Sequence, residues 1–148
     1  MELELVWRDR QVDGAPGRTR RRFLDFHADG QSLYEAIDED LISCLGWFTA
    51  EEDEHAAQRL LLAAQPDVDR RVAVYVCPEC GDIYCGALTV MIERQGSEFV
   101  WRDWERWSTF DFLEDAWHHE PEPKDLPELR FDADQYRAAI TQRPRPKP

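Results

Sequence analysis

Alternation with a period of two opens the chain: Leu3, Leu5 and Trp7 interleave with Glu2 and Glu4, giving one apolar and one wet face. That pattern predicts a first strand. Gly14, Pro16 and Gly17 make residues 11–19 a loop. Beyond it Leu24, Phe26 and Ala28 alternate with Asp25 and Asp29 in a second strand that Asp29-Gly30 ends.

The period then becomes helical. Ser32 and Glu35 stand at capping-box spacing, the serine oxygen taking a backbone N–H and the glutamate reaching back to the cap. The helix is predicted to run to about residue 44, with Leu33, Ala36, Ile37, Leu41 and Cys44 on one face and Gly46 as its left-handed terminator. Cys44 is therefore expected to point inward. Thr49 and Glu52 repeat the spacing, and Ala56, Leu60, Leu61, Ala63 and Ala64 form a second helical stripe that stops before Pro66.

Residues 71–106 are the ribbon around which the rest is arranged. Val72, Val74 and Val76 alternate with Ala73 and Tyr75, the run breaks at Pro78, and an apolar stretch returns over residues 87–92. Strand, tight knuckle and strand follow from this. Gln95-Gly96-Ser97 is a turn, and Phe99, Val100, Trp101 and Trp104 predict a third strand. Residues 107–119 are aromatic and acidic, with at most a short helix near 111–117, and Pro121, Pro123 and Pro127 make 120–127 a loop. Asp132 caps a last helix carrying Gln135, Tyr136, Ala139 and Ile140, and the Pro/Arg tail 143–148 is expected to be disordered. The whole predicts one α+β domain over residues 1–142. Its antiparallel sheet has about five strands, an N-terminal pair and a three-stranded cysteine-bearing meander, packed with two or three helices.

At 148 residues such a domain folds without disulfides. No apolar run approaches the roughly 20 residues of a membrane helix, and MELELVWRDR has neither the basic nor the apolar region of a signal peptide, so no membrane association and a cytoplasmic location are expected. There, clustered cysteines more often bind metal or carry redox chemistry than form bridges. The net charge of -13 argues against nucleic acid and favours a basic protein partner. Arginine far outnumbers lysine, present only as Lys124 and Lys147, which fits the codon usage of a high-GC bacterium.

Cys77-Pro78-Glu79-Cys80-Gly81 has the form of a metal knuckle, with Cys85 opening the return strand. Three thiols call for a fourth zinc ligand: Cys44 is the first candidate, then His55, His27, His118, His119 and Asp82. Structural zinc leads over a Cys-x-x-Cys redox pair, which ordinarily starts a helix rather than a strand-to-strand turn, and over an iron–sulfur cluster, whose common spacings differ. A tight turn with reduced thiols is the fourth reading. His118-His119-Glu120 lacks the HExxH separation, and Ser32, Ser43, Ser97 and Ser108 lack a nucleophile-elbow context.

The runs VCPECGD and CGA on the hairpin, with VWRD after them, resemble a group of small actinobacterial proteins of uncharacterised activity. SLYEAI, DLISCLGW and RFDADQYR are similar to the same group, so the resemblance spans most of the chain. Some members are described as oxidoreductases, but this sequence has no GxGxxG after a strand to hold a nicotinamide or flavin.

Between Arg22 and Arg59 stand ten acidic residues and no lysine or arginine, among them Asp38, Glu39, Asp40, Glu51, Glu52, Asp53 and Glu54. These seven are the candidate partner-binding residues. The tryptophans of 101–117 suit either core or interface. The function this predicts is a non-enzymatic acidic binding protein, an immunity-type inhibitor of a basic target such as a nuclease toxin, with a zinc or thiol knuckle holding its fold. The alternatives are a redox or metal-dependent enzyme using Cys77, Cys80 and Cys85, and a metal-stabilised housekeeping domain.

Overall fold

The computed structural model describes residues 1–12, 16–108, 110–111, 116–117 and 121–145. In chain order these form β1 (Leu3–Asp9), β2 (Arg22–Ala28), β3 (Gln31–Ser32), α1 (Leu33–Ile37), β4 (Ile42–Ser43), α2 (Ala50–Leu60) and β5 (Arg71–Val76). There follow β6 (Ala87–Gln95), β7 (Glu98–Trp107), β8 (Phe110–Asp111), β9 (Ala116–Trp117), β10 (Glu122–Pro123), β11 (Leu129–Asp132) and α3 (Ala133–Thr141). The fold is α+β and antiparallel throughout. One sheet has the order β1-β2-β3, a larger one runs β10-β7-β6-β5-β4 with β11 on another stretch of β7, and β8 pairs β9.

The five predicted strands are β1, β2, β5, β6 and β7, and the meander is continuous from Arg71↔Met91 to Gln95↔Glu98. Both N-caps form: Ser32 Oγ accepts from Glu35 N–H at 3.1 Å and Thr49 Oγ1 from Glu52 N–H at 3.2 Å, while among the described residues the return bonds to the Glu35 and Glu52 side chains are not made. Asp132 caps α3 through Gln135 N–H at 3.0 Å.

The first helix is shorter than its periodicity predicts. It ends at Ile37, where Asp38 turns left-handed at φ 51°, and residues 42–43 instead pair with Val76 and Tyr75 of β5. Leu41, Ile42, Cys44 and Leu45 are all buried, and a run buried on every side suits a strand between two layers better than a one-faced helix. Gly46 is consequently no helix terminator. At φ +97° its α-carbon lies so close to Leu24 that a β-carbon would stand 2.9 Å from the Leu24 nitrogen, which is where β2 meets the chain after β4. Leu24 N–H donates to Leu45 O at 3.0 Å and joins the two sheets there. The short helix expected near 111–117 is replaced at its ends by β8 and β9; residues 112–115 lie outside the described residues.

The core centres on Trp101 of β7, fully buried, with Phe26, Phe131 and Trp104 edge-on at 5.2, 5.5 and 5.9 Å. Its indole N–H donates to Tyr136 Oη at 3.1 Å, and Tyr136 in turn donates to Leu60 O at 2.7 Å, tying α3 and α2 to the sheet. Trp101, Trp104 and Trp107 are thus core. Among the described residues no helix is long and apolar enough to cross a membrane.

The expected tail begins at Arg143, whose side chain is buried against an equally buried Asp53 at 3.0 Å; residues 146–148 lie outside the described residues. Asp53 is completed by Gly46 N–H at 2.8 Å. Arg143→Ala leaves that carboxylate short of its counter-charge, and a broken buried pair costs roughly 3–5 kcal/mol. Urea denaturation should show the unfolding free energy falling by that amount through a lower midpoint at unchanged slope, and the Asp53→Ala/Arg143→Ala double variant should lose less than the sum of the singles.

Candidate functional site

The knuckle joins β5 to β6 as the sequence predicts, and its backbone closes on itself. Gly81 N–H donates to Cys77 O at 2.8 Å and Cys85 N–H to Asp82 O at 3.1 Å. Asp82 N–H points at Cys80 Sγ at 3.5 Å, the kind of backbone donor that steadies a thiolate. All four cysteines are free thiols: Cys80 and Cys85 are exposed, Cys77 half-buried and Cys44 buried. The Cys80 thiol has those of Cys77 and Cys85 as its neighbours within the loop. Among the described residues no group of three or more His, Cys, Asp or Glu is placed to hold a metal ion.

The loop is held from outside by residues that sequence reasoning missed. Arg21 Nε donates to Pro78 O at 2.9 Å, while its guanidinium lies over Trp47 at 4.8 Å. Glu79 accepts from Thr19 N–H and Thr19 Oγ1, both at 2.7 Å, and from Arg10 at 2.6 Å. Arg10 itself is buried, with Asp40 as a two-pronged partner at 2.9 and 2.6 Å. Gly81, at φ +70°, lets the Phe48 ring lie against the loop, since a β-carbon there would come within 1.8 Å of Phe48 Cζ. The only trace of this clamp in the sequence is the run of arginines after the first loop, which carries no information about what it faces.

The other candidate ligands are scattered. Cys44 belongs to the core and lines a cavity that Gly81 and Ile83 also wall. Burial, reinforced by the charges of Asp67 and Asp53, pushes its thiol far above the ordinary range. His27 Nε2 lies 3.2 Å from Asp25 Oδ2, His55 is exposed on α2, and Asp82 Oδ1 accepts from Tyr84 N–H at 2.8 Å. His118 and His119 lie outside the described residues. Desolvation, with the neighbouring Cys85 adding to it, also raises the Cys80 thiol, although Asp82 N–H and Cys77 pull the other way.

Of the seven candidate partner-binding acids, four have internal partners. Asp40 holds Arg10, Glu39 accepts from Arg106 at 2.8 Å and Lys124 at 3.0 Å, Asp53 holds Arg143, and Glu54 takes Arg143 at 3.0 Å and Arg145 at 2.7 Å. Desolvation works against the Glu39 carboxylate, but Arg106 and Lys124 outweigh it and leave its pKa below the ordinary value. Asp38, Glu51 and Glu52 remain exposed with no ion pair among the described residues. No family model matches the chain, and neither a curated protein nor a solved structure matches it.

Thr19 and Arg10 lower the Glu79 pKa from 4.5 to about 2, and Gln58, Arg145 and Arg143 bring Glu54 to about 2 as well. A depressed carboxylate pKa stabilises the fold above the unfolded value and ceases to do so as pH falls through the folded one. Melting temperature should therefore drop between about pH 4.5 and about pH 2, and Glu79→Gln should flatten part of that descent while lowering stability at pH 7. A melting series against pH for both proteins checks it.

Proposed function

We propose that this chain is a thiolate metal-binding domain in which Cys77, Cys80 and Cys85 hold a structural zinc ion. The observation that supports it is the presence of three free thiols in one loop, Cys80 having Cys77 and Cys85 as neighbours, whose backbone is clamped by Arg10, Thr19 and Arg21. A loop fixed from both sides presents its sulfurs with little left to order, which is what a structural ion needs, and three sulfurs leave one position for water or Asp82. A dithiol cycle is less favoured, because a redox-active thiol is set up by a lowered pKa and that of Cys80 is raised. Free thiols at an exposed tip suit a reducing compartment, and we assign the protein to the cytoplasm.

Elemental analysis of purified protein should give about one Zn per chain, and Co2+ in its place should show sulfur-to-metal charge-transfer absorption that Cys80→Ser weakens. Chelation should lower the melting temperature by several degrees, as a loss of about 1–2 kcal/mol does in a domain of this size. Metal-free protein with unchanged melting after chelation would refute the proposal.

A second reading, a binding protein that covers a basic target in the manner of an immunity-type inhibitor, is favoured by one observation. Asp38, Glu51 and Glu52 carry exposed charge that no described residue neutralises, on a chain of net charge -13. Such charge acts on association rate more than on final affinity. With a basic nuclease as partner, the variant Asp38→Asn/Glu51→Gln/Glu52→Gln should associate several-fold more slowly at low salt and equally at high salt. Equal rates at every ionic strength would leave these acids as solvated surface.

A further inference from the structure

Below the knuckle lies a half-enclosed cavity of about 170 Å³, bounded by α2, β5 and the cysteine loop. Its walls include Ala56, Val72 and Val76 on the side of the sheet and helix, with Ile83 and the Phe48 ring on the side of the loop. The Cys44 thiol lies among them and is held in its neutral form by burial. Arg59, Asp67 and Glu52 supply the charge. Arg59 and Asp67 hold each other at 3.4 Å, and Asp67 also accepts from Ala73 N–H at 2.9 Å. Glu52 is different: its carboxylate has no ion pair or hydrogen bond among the described residues, and nothing on the cavity wall balances it.

We infer that this cavity is a binding site for a small organic monocation with a compact apolar body, an amine of benzylamine size. The volume sets the size, since an apolar cavity of about 150 Å³ takes up benzene. The charge sign follows from the wall: one acid-base pair that cancels and one carboxylate that does not. An ammonium group at Glu52 would make a charge-assisted hydrogen bond, with Phe48, whose ring is fixed by stacking on Trp47 at 4.0 Å, among the walls of the cavity. An anion of the same shape would meet the unbalanced Glu52 and be disfavoured; a neutral one would gain the apolar contact alone. The site needs no metal in the knuckle, so it stands or falls apart from the zinc proposal.

The experiment is a titration of the purified chain with benzylamine, toluene and benzoate, followed by NMR shifts of the methyl groups, in zinc-loaded and in chelated protein. Benzylamine should bind saturably at one site in both, several-fold more tightly than toluene, and benzoate should not bind. Glu52→Gln, an exposed change on the rim, should weaken benzylamine by about fivefold, the factor that about 1 kcal/mol of charge assistance represents, and leave toluene unaffected. Ala56→Leu should fill the cavity and abolish both. Should that variant not fold, contacts between ring protons and the Ala56, Val72 and Ile83 methyls in the wild type decide instead. Lack of saturation, undiminished binding to folded Ala56→Leu, or ring contacts elsewhere would overturn the inference.

Discussion

The guanidinium of Arg10 is the interaction on which the arrangement at the cysteine end depends. It is buried, and a buried arginine is tolerated only when its donors are met in good geometry. Asp40 takes two of them from the segment after α1, Glu79 takes one from the knuckle, and Thr19 O takes another from the chain leading into β2. Three segments far apart in sequence are thereby fixed to one planar group at the end of β1. The carboxylates hold the Arg10 proton still more firmly than usual, Asp40 first, so this junction stays charged at any pH at which the protein is folded. Acid reaches it through Glu79, whose pKa lies at about 2.

This junction also changes the meaning of the acidic excess. A net charge of -13 invites the picture of a negative face offered to a partner, yet many of the acids form tight local pairs. Glu39 is drawn to Arg106 and Lys124, which brings the turn after α1 against β7, and Asp53 and Glu54 draw the C-terminal arginines onto α2. Paired charges fall off steeply with distance, so the far field of the molecule comes from the unpaired acids alone. Folding has used the arginines as internal fasteners and left the excess negative charge at scattered exposed positions.

What could be read from the sequence follows the range of the forces involved. The alternation of β1 and β2, the N-caps Ser32 and Thr49 and the three-stranded ribbon are local, and they form where their spacing says. The helix expected through residue 44 fails because Leu33, Ala36, Ile37, Leu41 and Cys44 satisfy a helical period by coincidence of burial. Residues 41–45 are apolar because they lie between two layers, and a short run that is buried all round has no period to read. The knuckle was legible as a motif, with its three thiols in one loop, whereas the clamp that holds it was not. Arg10, Thr19, Arg21 and Phe48 are brought to the loop by tertiary packing, and the acids that looked free were those with the most distant partners.

The chemistry open to the loop follows from the state of its thiols. A cysteine acts as nucleophile or metal ligand only as thiolate, and desolvation makes that form costly at Cys80. A redox cycle would need the thiolate standing free, against this cost. A metal cation, if bound as proposed, would offset that cost by cancelling the charge in place, beside the Asp82 N–H that points at the sulfur. The proton must still leave, so metal would compete with it, and affinity would rise with pH until the thiols are fully displaced from their protonated form. Desolvation is partial at the exposed Cys80 and complete at the buried Cys44, where the neighbouring Asp67 and Asp53 add to the penalty. That difference sets the three loop thiols apart from Cys44, which behaves as an apolar side chain of the core.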